Sequence, residues 1–399
     1  MTRPRRTEMS EYPFEFEPSR RSAVAAFLAL DVLGAAGALE RAGRDIVHLE
    51  LGEPGAPSPR PVLEAARAAL DLGRIAYTES LGRPSLRARI AAHYQETHGV
   101  AVDPSRVVVT TGSSAGFILA FLALFDVGAR VAVAAPGYPA YLNIFQALGL
   151  ESVSLETGPQ TGYVVTAKMI EEAHAKAPLQ GVLLMSPSNP SGVMMSDAEL
   201  KAVCETCDRL GIRFISDEIY HGLTYERPAA TALAFSPHVV VVNSFSKYFC
   251  MTGWRIGWLV LPENMVRPVE RLQQSLSISV PYLSQVGAEA AFDAVEELEL
   301  VKAGYARNRA LLLNELPGMG LGDFHPVDGA FYVYVDISRL TNDSGDFCRR
   351  LLHEAGVAAT PGLDFDRARG HHTMRLSFAG SESALREGVT RIGRWLKVG

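Results

Sequence analysis

Short apolar runs alternate with longer segments of helical periodicity between about residue 107 and residue 261. The runs are rich in Val and Leu, which is typical of strands buried on both faces of a sheet. Strands that alternate with helices in this way favour a mostly parallel sheet covered by helices, the α/β fold class. The predicted strands are 107–110, 130–134, 152–155, 181–185, 213–216, 239–242 and 257–261.

The segments on either side of this region predict the domain organisation. Upstream, the periodicity predicts helices over 22–42, 61–72 and 84–98 and a short strand over 46–51. Downstream, it predicts a long helical segment over 268–294, strands over 330–336 and 373–378, and helices over 345–355 and 381–396. We therefore expect a large domain over 46–294 and a smaller α+β domain over 295–399. The N-terminal segment, 1–45, is expected to pack on the small domain or on a partner subunit.

Composition narrows the class of protein. The net charge of −6 over 399 residues leaves no basic footprint for nucleic acid or for an anionic membrane. Four cysteines do not make a disulfide framework in a chain of this length, so a cytoplasmic location is expected. Cys204 and Cys207 lie in a helical pattern without a second cysteine pair, and we interpret them as ordinary helix residues. No apolar run reaches membrane-spanning length without a charge.

Polar groups follow four of the predicted strands. Open α/β sheets bind ligands beyond the carboxyl ends of their strands, so these groups are expected to meet in one pocket. They are a glycine-containing turn before a helix (Gly112-Ser113-Ser114), an amide (Asn189), a carboxylate with a phenol (Asp217, Tyr220), and an amine with a guanidinium (Lys247, Arg255). The turn suits a phosphate, because backbone N–H groups are unpaired at a helix N-terminus. Together the groups describe a pocket for a planar, phosphorylated ligand that bears a carbonyl.

Lys247 carries most of this interpretation. It ends the stretch Ser244-Phe245-Ser246-Lys247 directly after a buried strand, and Arg255 follows eight residues later. Loss of hydration and a neighbouring cation free a lysine amine for Schiff-base chemistry. Taken alone, the stretch fits a loop lysine beside a structural arginine equally well.

Two other motifs compete for the same region. Gly112-Ser113-Ser114-Ala115-Gly116 matches G-x-S-x-G in a strand–turn–helix context, which makes Ser114 a candidate nucleophile of a serine hydrolase. Asp217 and a later histidine (His325, His353 or His371) would complete its triad. Ser244 to Lys247 also fits S-x-x-K, but no S-D-N or K-T-G accompanies it. The histidines lack the spacing of a metal site, and no metal is expected.

The motifs taken together resemble one family. They are Gly52-Glu53-Pro54, Tyr77, Thr111 to Ala115, Pro136-Gly137-Tyr138-Pro139-Ala140-Tyr141, Asn189-Pro190-Ser191-Gly192, Asp217-Glu218-Ile219-Tyr220, Ser244 to Lys247 with Arg255, and Arg375-Leu376-Ser377-Phe378. In order and spacing the chain resembles the class I/II aminotransferases of the aspartate aminotransferase superfamily, which are fold type I enzymes dependent on pyridoxal 5′-phosphate (PLP). The resemblance covers about 46–378.

The resemblance implies a role for each residue around the cofactor ring. Lys247 would form the internal aldimine with PLP and then move a proton between the substrate Cα and C4′ of the cofactor. Asp217 would pair with the pyridine nitrogen and keep it protonated. Tyr220 and Asn189 would hydrogen-bond the phenolate oxygen, and Tyr138 would stack on the ring.

The same resemblance implies how phosphate and substrate are held. The backbone of Ser113 and Ser114, the hydroxyls of Ser244 and Ser246, and the Arg255 guanidinium would bind the phosphate. Arg375 would bind the substrate α-carboxylate, with help from Asn189 and the Gly52 backbone. Tyr77 would reach the phosphate of the neighbouring subunit's cofactor, which implies a homodimer.

The implied function is transfer of an amino group from an L-amino acid to a 2-oxo acid in two half-reactions. A PLP-dependent β-lyase or decarboxylase shares nearly every one of these cofactor contacts and stays open as an alternative. The particular substrates are not determined by these motifs. Tyr141, Phe331 and Tyr332 suggest tolerance for neutral or aromatic side chains, although core packing explains these aromatic residues equally well.

Overall fold

A central seven-stranded sheet organises the structure, a computed structural model that describes residues 17–398. Its strands are β2 (Val107–Thr110), β3 (Arg130–Ala135), β4 (Glu151–Glu156), β5 (Gly181–Met185), β6 (Arg213–Asp217), β7 (Val240–Ser244) and β8 (Gly257–Val260). They lie in the order β2-β8-β7-β6-β5-β3-β4, and only β8 runs antiparallel to its neighbours. All seven predicted strands are present, and the predicted α/β class is confirmed.

The same part of the chain forms twelve α-helices. They are α1 (Leu28–Arg41), α2 (Arg60–Asp71), α3 (Pro84–His98), α4 (Gly112–Leu124), α5 (Pro139–Leu148), α6 (Ala167–Lys176), α7 (Asp197–Leu210), α8 (Glu263–Leu276), α9 (Tyr282–Ala291), α10 (Val295–Glu315), α11 (Ser344–Arg350) and α12 (Glu382–Val398). Cys204 and Cys207 are buried free thiols in α7, as ordinary helix residues are expected to be. Among residues 17–398, no helix is both long and apolar enough to cross a membrane.

Two helix predictions were wrong. The segment predicted as one helix over 268–294 is two helices, because α8 ends at Leu276 and α9 begins after Pro281. A proline disfavours helical backbone in the residue before it, which stops a helix from running through this position. The first helix begins at Leu28 rather than at about residue 22, and residues 23–27 are irregular. Residues 1–16 lie outside the described part of the chain.

A second, smaller set of strands forms beside the large sheet. β9 (Tyr332–Asp336), β12 (Thr373–Ser377) and β11 (Thr360–Pro361) make an antiparallel sheet in the order β11-β12-β9. Of the strand predicted over 46–51, two residues pair as β1 (Val47–His48), which runs parallel to β10 (Val357–Ala358).

The buried apolar residues fall into clusters that follow these sheets. Two clusters cover opposite faces of the seven-stranded sheet, because alternate residues of a strand point to opposite faces. Val107 and Val109 belong to one cluster and Val108 to the other. A third cluster surrounds β9 and β12. This packing holds the carboxyl ends of the parallel strands next to the smaller sheet, and the candidate site lies there.

Candidate active site

A cavity of about 290 Å³ opens at the carboxyl ends of the parallel strands. It is lined from three directions: by turns after β2, β5, β6 and β7, by the smaller sheet, and by the first helix. The lining includes Phe27, Leu30, Leu33, Gly52, Glu53, Ser113, Ser114, Tyr138, Asn189, Asp217, Tyr220, Ser246, Lys247, Arg255, Tyr332 and Arg375. Most of the residues singled out in the sequence therefore meet in one place.

Lys247 lies in the turn after β7 and extends into this cavity. Its Nζ donates to the backbone carbonyl of Gly52 and lies 5.9 Å from the centre of the Tyr220 ring. Burial lowers the pKa of this amine to about 8, repulsion from Arg375 acts in the same direction, and Glu53 opposes it. About a tenth of the amine is therefore uncharged at pH 7, far more than for an ordinary lysine, and the uncharged amine is the nucleophile.

Asp217 is the last residue of β6 and is 1% exposed. Its Oδ1 accepts from the Ile219 backbone N–H at 3.1 Å, and its Oδ2 accepts from the Tyr141 hydroxyl. Burial raises the pKa of Asp217 to about 7, while both hydrogen bonds and the charge of Lys247 hold it down. A cation placed opposite this carboxylate would favour its ionised form further.

Tyr141 has a different place from the one its sequence suggested. Its hydroxyl donates to Asp217 and its ring is buried in the core, so it does not line the cavity. Phe331 likewise packs in the core beneath the smaller sheet, whereas Tyr332 does line the cavity. Of the three aromatic residues suggested for a side-chain pocket, two serve packing and hydrogen bonding instead.

Arg375, on β12, is 3% exposed and is held in one orientation. Its Nη1 donates to Asn189 Oδ1 at 2.8 Å, and its Nη2 donates to the Glu50 carbonyl at 2.6 Å and to Thr360 Oγ1 at 3.3 Å. Its Nε has no hydrogen-bond partner. A guanidinium in a cavity wall suits a carboxylate, and the bonds to Asn189, Glu50 and Thr360 fix the orientation in which Arg375 is presented.

The turn after β2 lines one part of the cavity. Thr111 precedes α4 and makes no side-chain cap, so the first N–H groups of the helix remain free. A Cβ on Gly112 would lie 2.6 Å from Arg255 Nη2, so only glycine lets the guanidinium come this close to the turn. These groups fit a phosphate, because backbone N–H groups, the positive end of a helix and an arginine all face the same space.

The remaining predicted site residues divide into those that line the cavity and those that do not. Tyr138 and Ser246 line it, and the Tyr220 hydroxyl lies 2.8 Å from that of Tyr332. Ser244 is behind the wall, where its hydroxyl donates to Ser246 Oγ at 2.9 Å. Tyr77 is 80% exposed and does not line the cavity.

Sequence reasoning missed several parts of the site. Thr360 was not singled out, although it holds Arg375, and no local motif marks it. The first helix contributes Leu30 and Leu33, and Phe27 directly before it also lines the cavity; the sequence shows all three only as part of an amphipathic pattern. Among the described residues no histidine lines the cavity, so Ser114 has no base beside it there.

The arrangement defines a class of enzyme before any comparison is made. A lysine amine, a buried carboxylate, a glycine turn with an arginine beside it, and a second, buried arginine line one cavity of an α/β fold. These are the groups that the resemblance to fold type I PLP-dependent enzymes implied for one site.

Comparison with known proteins identifies the family. Residues 44–392 match the family described as "Aminotransferase class I and II". The valine–pyruvate aminotransferase of Mycobacterium tuberculosis is 49% identical over 380 residues, which span 94% of this chain and 97% of that protein. The aspartate/prephenate aminotransferase of Thermus thermophilus is 34% identical over 90% of this chain and 93% of its own. A crystal structure of an aminotransferase from M. tuberculosis superposes with a TM-score of 0.94 at 48% identity and covers 96% of this chain and all of that one.

The chain belongs to the class I and II aminotransferase family. The predicted aminotransferase activity is confirmed by these relatives, and the lyase, decarboxylase and hydrolase alternatives are not favoured. Its substrates are accordingly an amino acid and a 2-oxo acid.

Proposed function

We propose that the cavity binds PLP and carries out transamination of a neutral, apolar L-amino acid. The convergence of Lys247, Asp217, Arg255 and Arg375 on one cavity carries this proposal. The turn at Gly112, with the backbone of Ser113 and Ser114, Ser246 and Arg255, would hold the phosphate, and Ser244 would fix Ser246. Tyr138 would lie against the ring, and Asn189 and Tyr220 would contact its phenolate oxygen. When bound, the cofactor supplies an aldehyde to receive the amino group and a ring to accept electrons from the substrate.

The residues of the chain then have separate tasks. Arg375 binds the substrate α-carboxylate and so orients the Cα–H bond toward Lys247. With the cofactor bound, the Nζ of Lys247 would accept the proton from the substrate Cα and later donate it again, a task that suits a free amine shielded from water. Asp217 would favour a protonated pyridine nitrogen through its negative charge, and Tyr141 fixes the orientation of that carboxylate.

The pKa of Lys247 predicts how cofactor attachment depends on pH. Below its pKa of about 8 the lysine is mostly an ammonium ion and cannot attack an aldehyde; above it the amine is free. The rate of PLP attachment to cofactor-free protein should rise roughly tenfold from pH 7 to pH 9 and then level off. Stopped-flow absorbance measures this rate, with PLP and Nα-acetyl-lysine as the reference reaction. A rate that kept rising beyond pH 10 in parallel with the reference would contradict the lowered pKa.

The lining of the cavity supports an apolar substrate side chain. Phe27, Leu30 and Leu33 lie along one side of it. The cationic residues in its described lining are Lys247, Arg255 and Arg375, and each already has a task. Consequently none is left to neutralise a side-chain carboxylate, whose burial without a partner is costly. The 49% identical relative from M. tuberculosis, a valine–pyruvate aminotransferase, agrees with valine as donor and pyruvate as acceptor.

A panel of amino donors tests the proposed substrate class. With pyruvate as acceptor, kcat/KM for valine, leucine or methionine should exceed that for aspartate by about 10²-fold or more, because the acidic side chain is rejected. The 2-oxo acid product of each donor is quantified by chromatography, and Lys247→Ala protein provides the background. A preference for aspartate or glutamate would overturn the apolar assignment and leave the aminotransferase activity intact.

We further propose a homodimer in which Tyr77 completes the partner's phosphate site. The segment 70–77 presents four large exposed apolar residues: Leu70, Leu72, Ile75 and Tyr77. Leu72 and Tyr77 are each 80% exposed, which is unusual for apolar side chains of this size on a surface that no partner covers. A second copy of the chain is the occupant that suits this segment, because a two-fold axis would bring each Tyr77 to the other subunit.

Mixed dimers test this exchange of Tyr77. Tyr77→Phe removes one hydrogen bond to a charged group, so we expect PLP to bind about tenfold more weakly. If Tyr77 acts across the interface, dimers of one Tyr77→Phe chain and one Lys247→Ala chain should attach PLP to their remaining Lys247 with normal affinity. The PLP that borohydride fixes to the protein at increasing PLP concentration measures that affinity, and sedimentation measures the dimer. Weak attachment to the remaining Lys247 of the mixed dimers, or a monomer in solution, would rule out the exchange.

The two-domain division and the location are also proposed. A large domain over 46–294 and a small domain over 295–399 are supported by the separate core around β9 and β12. A reducing cytoplasm is supported by the four cysteines, all of which are unpaired and buried.

A further inference from the structure

A second buried carboxyl group follows Asp217 directly in the chain. Glu218 is 1% exposed, and its Oε1 accepts three hydrogen bonds: from Ser216 Oγ at 3.1 Å, Thr231 Oγ1 at 3.1 Å and the Ala232 N–H at 2.9 Å. Its Oε2 accepts none. The proposed transamination chemistry does not use this residue, yet its carboxyl group accepts three hydrogen bonds and that of Asp217 accepts two.

The free oxygen of Glu218 faces a free nitrogen. His221 Nδ1 lies 3.5 Å from Glu218 Oε2, and neither atom has another hydrogen-bond partner. Two lone pairs that face each other in a dry site repel, whereas one proton between them satisfies both atoms. Oε1 already accepts three hydrogen bonds, so a proton carried by Glu218 would lie on Oε2, where it faces His221 Nδ1.

We propose that Glu218 and His221 are a positioning pair that shares this proton, with Glu218 Oε2–H donating to His221 Nδ1. The pair is then uncharged, so the charge of Asp217 acts on the pyridine nitrogen without a second charge from Glu218. The effect on the pyridine nitrogen rests on the proposed role of Asp217, whereas the presence of the shared proton does not.

The environment of the pair favours the uncharged form over an ion pair. Burial and the nearby charge of Asp217 together raise the pKa of Glu218 to about 7, and the three hydrogen bonds to its carboxyl group oppose this rise. Burial and the neighbouring His98 and His93 on α3 together lower the pKa of His221 to about 3, and a hydrogen bond with the Ser186 backbone opposes this shift. The buried hydroxyl of Tyr94 and the thiol of Cys204 also lie within electrostatic reach of Glu218. None of these groups supplies a positive charge that would hold Glu218 ionised.

The pair also fixes the turn that carries two site residues. The His221 N–H donates to the Glu218 carbonyl at 2.9 Å, so backbone and side chains close the same turn. Ile219 and Tyr220 lie inside it; the Ile219 N–H donates to Asp217, and Tyr220 lines the cavity. A change in the state of the pair therefore reaches Asp217 through both charge and geometry.

Infrared spectroscopy of the purified enzyme tests the proton directly. At pH 6, below the Glu218 pKa of about 7, the parent protein should show the carbonyl band of a protonated carboxyl group, and Glu218→Gln should remove it. Asp217→Asn is the matched control and should leave the band in place. Loss of the band in Asp217→Asn alone, or no band assignable to Glu218, would overturn the shared proton even if the enzyme binds PLP and transaminates as proposed.

The pH midpoint of the visible absorbance of bound cofactor tests the consequence. Glu218→Gln imitates the uncharged pair, since its carbonyl accepts the same three bonds and its amide donates to His221. It should leave the midpoint unchanged and the PLP affinity within about threefold of the parent. His221→Gln places an amide N–H donor opposite Glu218 Oε2 in place of the ring nitrogen and so favours the ionised form, whose negative charge should move the midpoint up by about one unit.

The double variant separates charge from structure. Glu218→Gln combined with His221→Gln contains no ionisable group at either position, so the midpoint should return to the parent value. A midpoint that stays shifted in the double variant, or that does not move in His221→Gln, would show that the pair acts on packing alone and would overturn the proposal.

Discussion

Replacing Lys247 with alanine is expected to lower kcat for transamination by about 10³-fold or more, because the variant loses both its nucleophile and its proton-transfer group. The structure offers no substitute amine: Lys247 is the lysine in the described lining of the cavity. PLP should still bind, but non-covalently, since the turn at Gly112 and Arg255 are unchanged. The effect is therefore expected in kcat far more than in cofactor occupancy.

Borohydride reduction followed by mass spectrometry measures the covalent link. The parent protein should gain the mass of reduced PLP on the peptide that contains Lys247, and Lys247→Ala should gain none. Lys168→Ala, at a highly exposed position on α6, is the matched control and should behave like the parent. Covalent cofactor at another lysine of the parent protein would refute the assignment of Lys247.

Replacing Asp217 with asparagine is expected to lower kcat by about 10²–10³-fold, a loss typical of removing a preorganised charge from a dry site. Asparagine keeps the size of the side chain and an acceptor for the Ile219 N–H. It carries no negative charge, however, so the proton on the pyridine nitrogen loses its stabilising partner. The variant should also bind PLP more weakly.

Steady-state kinetics and the absorbance spectrum of bound PLP measure this loss. Asp208→Asn, which removes the charge of a carboxylate that accepts from Ser236 at 3.1 Å, is the control and should leave kcat within about twofold. Circular dichroism shows whether each variant is folded. Turnover close to that of the parent in a folded Asp217→Asn enzyme would mean that the pyridine nitrogen needs no anionic partner here.

The strands were predictable because their apolar runs are a local property. The 107–110 run and the 181–185 run coincide with β2 and β5, since a strand buried on both faces must be apolar throughout. Helix ends were less predictable. The break before α9 and the start of the first helix depend on how the chain turns at Pro281 and on what residues 23–27 contact.

The candidate site was predictable where motifs carry it and not elsewhere. Lys247, Asp217 and Arg375 stand in short motifs, and the structure brings them to one cavity. Thr360 contacts Arg375 from 15 residues away, and Tyr141 contacts Asp217 from 76 residues away. No local sequence pattern predicts either contact. The same holds for Phe27 and Leu30, whose side chains read as ordinary apolar positions.

The amino-acid sequence by itself determined the alternation of strands and helices and the kinds of chemical group placed at the strand ends, since both depend on neighbours in the chain. The tertiary structure alone decided which groups lose their water, which donor meets which acceptor, and which side of the substrate space is apolar. The lowered pKa of Lys247, the unused N–H of Arg375 and the proton assigned to Glu218 and His221 all arise this way. Each depends on burial and on partners distant in sequence, and these exist only once the chain is folded.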